Sequence, residues 1–182
     1  MAICDTNQRE IEAAEALGFR RASQTETVMA AALDRERPAR LPEGLRLTQP
    51  DPLRDAEALQ WLFWQGFDHG DDREEFLRED PVVPRLRPHF DPRLSLAAMD
   101  ETGALCACCC LWFDPNTDYA YVEPVCTVPA YRGRGVAGAL LSEAMNRARV
   151  LGAKQAFVIS DLPFYEKLGF EKCLHYTFYW KK

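Results

Sequence analysis

Apolar residues recur along the chain at two spacings, and their alternation outlines an α/β protein. From Asp51 to Phe67, residues Leu53, Ala56, Leu59, Leu62 and Phe63 fall three or four apart, which lines one face of a helix. Val136, Leu140, Leu141, Ala144, Ala148 and Leu151 repeat that spacing in a second helix, and Gly152 stands where a helix C-terminus favours it. Shorter apolar or alternating runs predict strands at Gly44–Thr48, Leu94–Met99, Ala104–Phe113, Tyr119–Val128, Gln155–Ile159 and Cys173–Trp180. Asp100-Glu101-Thr102-Gly103 reads as a tight turn joining the second and third strands in a hairpin, and residues 114–118 form the next turn. Asp71 to Glu79 predicts a charged helix that stops before Pro81. Pro81 to Pro92 carries four prolines and predicts an irregular loop. Pro163 opens a short helix that ends at Gly169.

Composition narrows the class. The chain has 182 residues, 47% hydrophobic and 27% charged, which suits a globular protein with one real core. No apolar run reaches the roughly 18 residues of a membrane helix, and Met1 to Arg9 lacks the apolar stretch of a secretory signal. The expected location is cytoplasmic, with no membrane partner. A net charge of −6 argues against a nucleic-acid binder. Four of the seven cysteines crowd into positions 106–110. Alternation on a strand puts Cys106, Cys108 and Cys110 on one face and Cys109 on the other, and the pattern lacks paired C-x-x-C ligands. They read as small buried side chains, with no metal expected.

The segment from Val128 to Ala137 carries chemistry. A strand feeds the turn Arg132-Gly133-Arg134-Gly135-Val136-Ala137, which opens the Val136 helix. The first amides of a helix have no intrahelical acceptor, and the helix dipole adds partial positive charge there. Gly133 and Gly135 let the backbone approach an anion, and Arg132 and Arg134 can add charge-assisted bonds to it. No Lys-Ser or Lys-Thr follows the last glycine, so this is not a Walker loop, and the glycine spacing is not the dinucleotide fingerprint. A tight strand-to-helix turn with solvated arginines is the competing reading.

Arg132-x-x-Gly135-x-Ala137, with Val128-Pro129-Ala130-Tyr131 before it, resembles the Arg/Gln-x-x-Gly-x-Gly/Ala signature of the GNAT acetyltransferase superfamily. Phe164-Tyr165-Glu166-Lys167-Leu168-Gly169-Phe170 resembles that family's tyrosine-bearing fourth helix, and the two motifs stand at the right separation. The resemblance implies a fold for residues 41–182: a mixed, mostly antiparallel central sheet with two splayed parallel strands, flanked by helices. It implies acetyl-CoA as cosubstrate and a primary amine of a small molecule or peptide as acceptor. The backbone of Val125, Cys126 and Thr127 would pair with the pantetheine arm. The turn Arg132 to Ala137 would hold the pyrophosphate, and Ser160 would take a polar contact where the family often has asparagine. Tyr165 would protonate the leaving thiolate, against a competing reading as a core aromatic. Glu123, desolvated by Tyr121 and Pro124, would be the general base; the competing reading is a structural carboxylate. Pro124 suits a bulged position.

Residues 1–40 resemble the back of such a domain. Asn7, Glu10 and Leu17-Gly18-Phe19 echo the asparagine, fourth helix and Leu-Gly-Phe ending of the family, and Arg20 to Met29 would be the strand that follows. Ala14 occupies the tyrosine position, so this copy would be catalytically silent, packing on the complete domain across the linker at residues 34–42. On the acceptor side, Trp61, Trp64, Phe67, Asp68, His69, Asp71 and Asp72 suit a cationic amine, against a reading as core aromatics beside a solvated helix. A non-catalytic acyl-CoA-binding or protein-interaction module is the rival to an enzyme, and the sequence leaves a homodimer open.

Overall fold

The computed structural model describes residues 1–78 and 90–181. In chain order its elements are β1 (Ala2–Cys4), α1 (Gln8–Ala16), β2 (Phe19–Ala32), β3 (Arg46–Thr48), α2 (Ala56–Gly66), α3 (Arg73–Phe76), β4 (Phe90–Met99), β5 (Leu105–Phe113), β6 (Tyr119–Thr127), a 3-10 turn at Pro129–Tyr131, α4 (Val136–Val150), β7 (Gln155–Ile159), α5 (Pro163–Glu166) and β8 (Glu171–Lys181). The class is α/β. Two compact units divide the chain: Leu33–Ala156, and Met1–Ala32 together with Phe157–Lys182.

In the Leu33–Ala156 unit, β6, β5, β4 and β3 lie side by side in that order, all antiparallel. β5 is an inner strand and is buried on both faces, so Cys106, Cys108, Cys109 and Cys110 are all core residues. Helices α2 and α4 both pack on it. The expected hairpin at Asp100 forms: the Asp100 amide donates to Ala104 O at 3.0 Å and the Gly103 amide to Asp100 O at 3.1 Å.

Several boundaries differ from the pattern reading. Helix α2 starts at Ala56 rather than Asp51. The Asp51 carboxylate accepts from the Leu53 and Arg54 amides, and the Asp55 carboxylate accepts from the Asp51 amide. Aspartates offer the backbone local turns that compete with helix. The charged helix contracts to α3, capped by the Asp72 carboxylate at the Glu74 and Glu75 amides. Most of the expected Pro81–Pro92 loop lies outside the described residues; its last part, from Phe90, already belongs to β4. Phe90 pairs with Trp112, and a register shift before Ser95 accommodates Pro92.

The second unit brings the two ends of the chain together. β8 lies between β1 and β2, antiparallel to both, with Ile3 opposite Thr177 and Thr25 opposite the same residue on the other side. The Ser160 amide donates to Thr27 O at 2.8 Å, which holds the end of β7 beside β2. Each half of the unit runs strand, short helix, glycine, strand, with Gly18 at φ 84° and Gly169 at φ 81° after its helix. Asn7 caps α1 by accepting from the Glu10 amide. Ile3, Ala14 and Tyr179 form a small buried cluster with Ile11 and Phe19 against it. β1 was not legible in the pattern, being three residues long.

A polar cluster fastens β1 to β8. Thr177, fully buried, donates to Asp5 Oδ1 at 2.7 Å, His175 Nδ1 lies 2.8 Å from Asp5 Oδ2, and Arg21 donates to Thr177 at 3.2 Å. The Thr177 hydroxyl, and then His175, hold the Asp5 carboxyl below its ordinary 3.8. A depressed carboxyl stabilises the fold above its unfolded value, and the contribution disappears as pH falls through the folded value. Asp5→Asn is therefore expected to lower stability by about 1 kcal/mol at pH 7. In urea denaturation the gap from wild type should close below pH 3.8; a gap that persists there would remove the carboxylate from the account. Removing residues 1–32 strips both neighbours from β8, and the melting temperature should fall by more than about 10 °C; an unchanged melt would show that β8 does not depend on them.

Candidate functional site

The end of β6 runs into α4 through a tightly bonded turn. The Val128 amide donates to Cys106 O at 2.9 Å, the Tyr131 amide to Val128 O at 2.9 Å and the Arg132 amide to Pro129 O at 3.2 Å. Gly133 and Gly135 follow at φ 73° and 84°, backbone that L side chains rarely adopt. A side chain built at either would meet nothing within 4 Å, so these glycines serve conformation and the space above the turn is open. Gly135 is the N-cap of α4, and no side chain caps the helix there. The first intrahelical bond is from the Ala139 amide to Gly135 O. The amides of Val136, Ala137 and Gly138 precede it, so the helix opens on donors of the kind an anion takes. Val136 is buried and anchors the turn, and Ala137 is half-buried.

The two arginines divide their roles in a way the motif does not reveal. Arg132 is exposed, yet it bonds back onto the protein. Its Nε donates to Thr127 O at 3.0 Å, its guanidinium donates to Gly66 O at 3.0 Å, and it pairs with Asp68 at 2.9 Å. It therefore ties the end of α2 to the end of β6, where the motif suggested a phosphate ligand. Asp68 is the one non-glycine with positive φ, 63°, among the described residues. Arg134 is exposed, with its guanidinium 5.3 Å from the centre of the Tyr131 ring. Tyr131 donates to Asp100 Oδ2 at 2.6 Å. That bond, with the one from Thr102, holds the Asp100 carboxyl down at about 2.

β6 is interrupted at Glu123 and Pro124, joined by a cis peptide bond. Register jumps there: Val122 faces Leu111 and Val125 faces Cys109, so Glu123 and Pro124 together oppose Cys110. Pro124 thus sits in a bulge, as its missing amide favours. The Trp112 indole donates to Glu123 O at 2.7 Å. The Glu123 side chain is exposed, not desolvated. Val125, Cys126 and Thr127 resume the ladder opposite Cys109, Cys108 and Ala107.

Cys126 lies under α2. A side-chain carbon at Gly66 would come within 2.7 Å of its sulfur, so only glycine lets the helix backbone sit this close to the strand. Nothing in the sequence pattern marks that contact. Cys126 Sγ lies 3.5 Å from Cys108 Sγ, in a cluster with Leu62, Ala97 and Val128. Burial pushes the Cys109 thiol well up and the Cys110 thiol up to about 12, so both are neutral packing groups. Among the described residues no group of His, Cys, Asp or Glu is arranged to hold a metal ion.

The residues expected to wall an acceptor are already engaged with one another. Trp61 meets Phe76 edge-on at 5.2 Å, Trp64 stacks on His69 at 4.9 Å, and Phe67 stacks on Phe63 at 6.2 Å. Asp68 pairs with Arg132 and Asp72 caps α3; Asp71 is exposed.

Tyr165 and Ser160 belong to the other unit. Tyr165 is buried, its ring edge-on to Phe164 at 4.9 Å and Phe170 at 5.5 Å, and its carbonyl accepts from Leu168 and Phe170. Ser160 Oγ accepts from the Leu162 amide at 3.2 Å, which shapes the approach to α5. No helix of the described residues is long and apolar enough to cross a membrane.

Comparison with known proteins places this geometry. A family model described as "Acetyltransferase (GNAT) family" matches residues 54–170. An uncharacterized N-acetyltransferase of Escherichia coli K12, YjhQ, is 34% identical over 52 residues, 29% of each chain. A GCN5-related N-acetyltransferase from Sphaerobacter thermophilus superposes with a TM-score of 0.73 at 22% identity, over 98% of this chain and 57% of that one. A GNAT family acetyltransferase from Brucella melitensis, solved in complex with acetyl-CoA, gives 0.54 at 21% identity, over 72% of this chain and 86% of that one. The chain thus spans little more than half of the Sphaerobacter protein and under a third of the curated relative.

The tight seat of α2 on β6 has a direct test. Gly66→Ala forces its new carbon against Cys126 and should destabilise the protein by about 1–3 kcal/mol. Chemical denaturation measures this, and a stability equal to wild type would mean that α2 is free to lift away.

Proposed function

The chain belongs to the acetyltransferase (GNAT) family, and from that premise we propose that it transfers an acetyl group from acetyl-CoA to a primary amine of a small molecule or peptide. The observation that carries the reading is the uncapped start of α4 behind two left-handed glycines, an open row of donors of the kind a phosphate group takes. Acetyl-CoA, when bound, supplies the activated thioester carbonyl. The protein's part is to bind, aim and move protons. The amides from Gly133 to Ala137 grip the pyrophosphate, and Arg134 adds charge from the exposed side. The main chain of Val125 to Thr127 lies along the pantetheine arm, with the Thr127 carbonyl already held by Arg132. Arg132 therefore acts as a brace for the turn.

On this reading Tyr165 gives its phenolic proton to the departing thiolate. Glu123 takes a proton from the acceptor amine, directly or through water; its exposed place on the β6 bulge leaves it within reach of an incoming amine. Ser160 shapes the loop before α5. Residues 1–40 are a remnant of a second such domain with Ala14 in the tyrosine position, a part that steadies β8 without chemistry of its own.

Calorimetry with CoA and thiol release from acetyl-CoA over a panel of amines test the reading together. CoA should bind, and at least one amine should release thiol. Absence of heat with CoA would end the proposal, while binding without turnover on any amine would leave the non-catalytic module. Tyr165→Phe should lower kcat by about 10²-fold with CoA affinity nearly unchanged, and Glu123→Gln should lower kcat similarly; full activity in either variant would take that residue out of the proton path.

A further inference from the structure

Asp100 and Tyr131 lie 31 positions apart, and Asp100 stands outside the motif that marks the turn. Asp100 sits in the β4–β5 hairpin, where its Oδ1 accepts from the Thr102 amide at 2.9 Å, the Thr102 hydroxyl at 2.7 Å and the Ala104 amide at 3.0 Å. Three bonds on one oxygen make the carboxylate a fixed post. Its other oxygen takes the Tyr131 hydroxyl at 2.6 Å. Tyr131 is half-buried against the Leu62–Cys126 cluster, and it directly precedes Arg132. The outer face of its ring carries the Arg134 guanidinium at 5.3 Å.

The physical need for such a post comes from the glycines. A turn with two left-handed glycines is conformationally free before binding, and ordering it on binding costs affinity. Arg132 braces one side through Gly66 and Thr127. On the other side, Arg134 stands between the two glycines with its guanidinium over the Tyr131 ring. We infer that Asp100 and Tyr131 are positioning residues: their hydrogen bond pins the tyrosine ring, and the ring holds the Arg132–Gly135 turn and the Arg134 guanidinium in the shape that accepts a diphosphate. The inference rests on the reading of this turn as the pyrophosphate site.

The test uses equilibrium binding of two probes, CoA and pantetheine; the second lacks the nucleotide and its pyrophosphate. Tyr131→Phe keeps the ring and its stacking and removes only the hydroxyl. Asp100→Asn keeps Oδ1 for the hairpin. Wild type should bind CoA more tightly than pantetheine. Each variant should weaken CoA about tenfold, the size of one charged hydrogen bond, and leave pantetheine unchanged. The double variant should lose no more than either single one, because both act through the same bond. A variant that weakens both probes equally has merely loosened the fold and overturns the inference, as does a variant that binds CoA like wild type. Wild type that does not distinguish the probes overturns the pyrophosphate reading itself, which separates the two failures. Melting curves accompany each variant; if Tyr131→Phe does not fold, Asp100→Asn carries the same comparison.

Discussion

A helix must begin somewhere, and its first amides must find an acceptor. At Val136 no side chain supplies one, and the backbone ahead of it is bent by two left-handed glycines into an open shelf. Much of the Leu33–Ala156 unit serves to hold that shelf still. The strand before it is paired to the buried β5, Val136 is sunk into the core, and Arg132 reaches back to lock the last carbonyl of β6 and that of Gly66. A donor row left unsatisfied by the protein would cost stability if buried. Here the space above the turn is open, so water can reach it.

The part of this that was legible in the sequence is the part written in backbone chemistry. Glycines at 133 and 135, a proline at 124 and the apolar stripe of α4 each announce one conformation with little dependence on surroundings. What stayed hidden depends on long-range contacts. Arg132 looks like a phosphate ligand until Asp68 and Gly66 are seen beside it. Gly66 looks like an ordinary helix glycine until the Cys126 sulfur is seen beneath it. Glu123 reads as enclosed between Tyr121 and Pro124, yet the bulge turns it outward. The start of α2 differs for a local reason: the apolar period extends back to Leu53, but the Asp51 and Asp55 carboxylates hold residues 51–55 in a turn ahead of the helix.

The cysteine-rich strand shows how a suggestive composition can have a packing explanation. Cys108 and Cys126 are cross-strand partners under α2, where the helix backbone approaches so closely that bulkier side chains would push it off. Small, apolar thiols fill such a gap without demanding hydrogen-bond partners. Neutral thiols in the core also leave the chemistry to the turn and the loops around it, where the charged side chains are.

The interleaving of chain ends in the second unit has a consequence for synthesis. β1 and β2 are made well before β8, the strand that both of them flank. Until β8 is made, each of them has a ladder edge with no mate, and contacts of such sequence separation close slowly. The Leu33–Ala156 unit, by contrast, is contiguous and can form while the polypeptide is still attached. Residues 1–32 therefore complete their pairing only after the residues of that unit have been made.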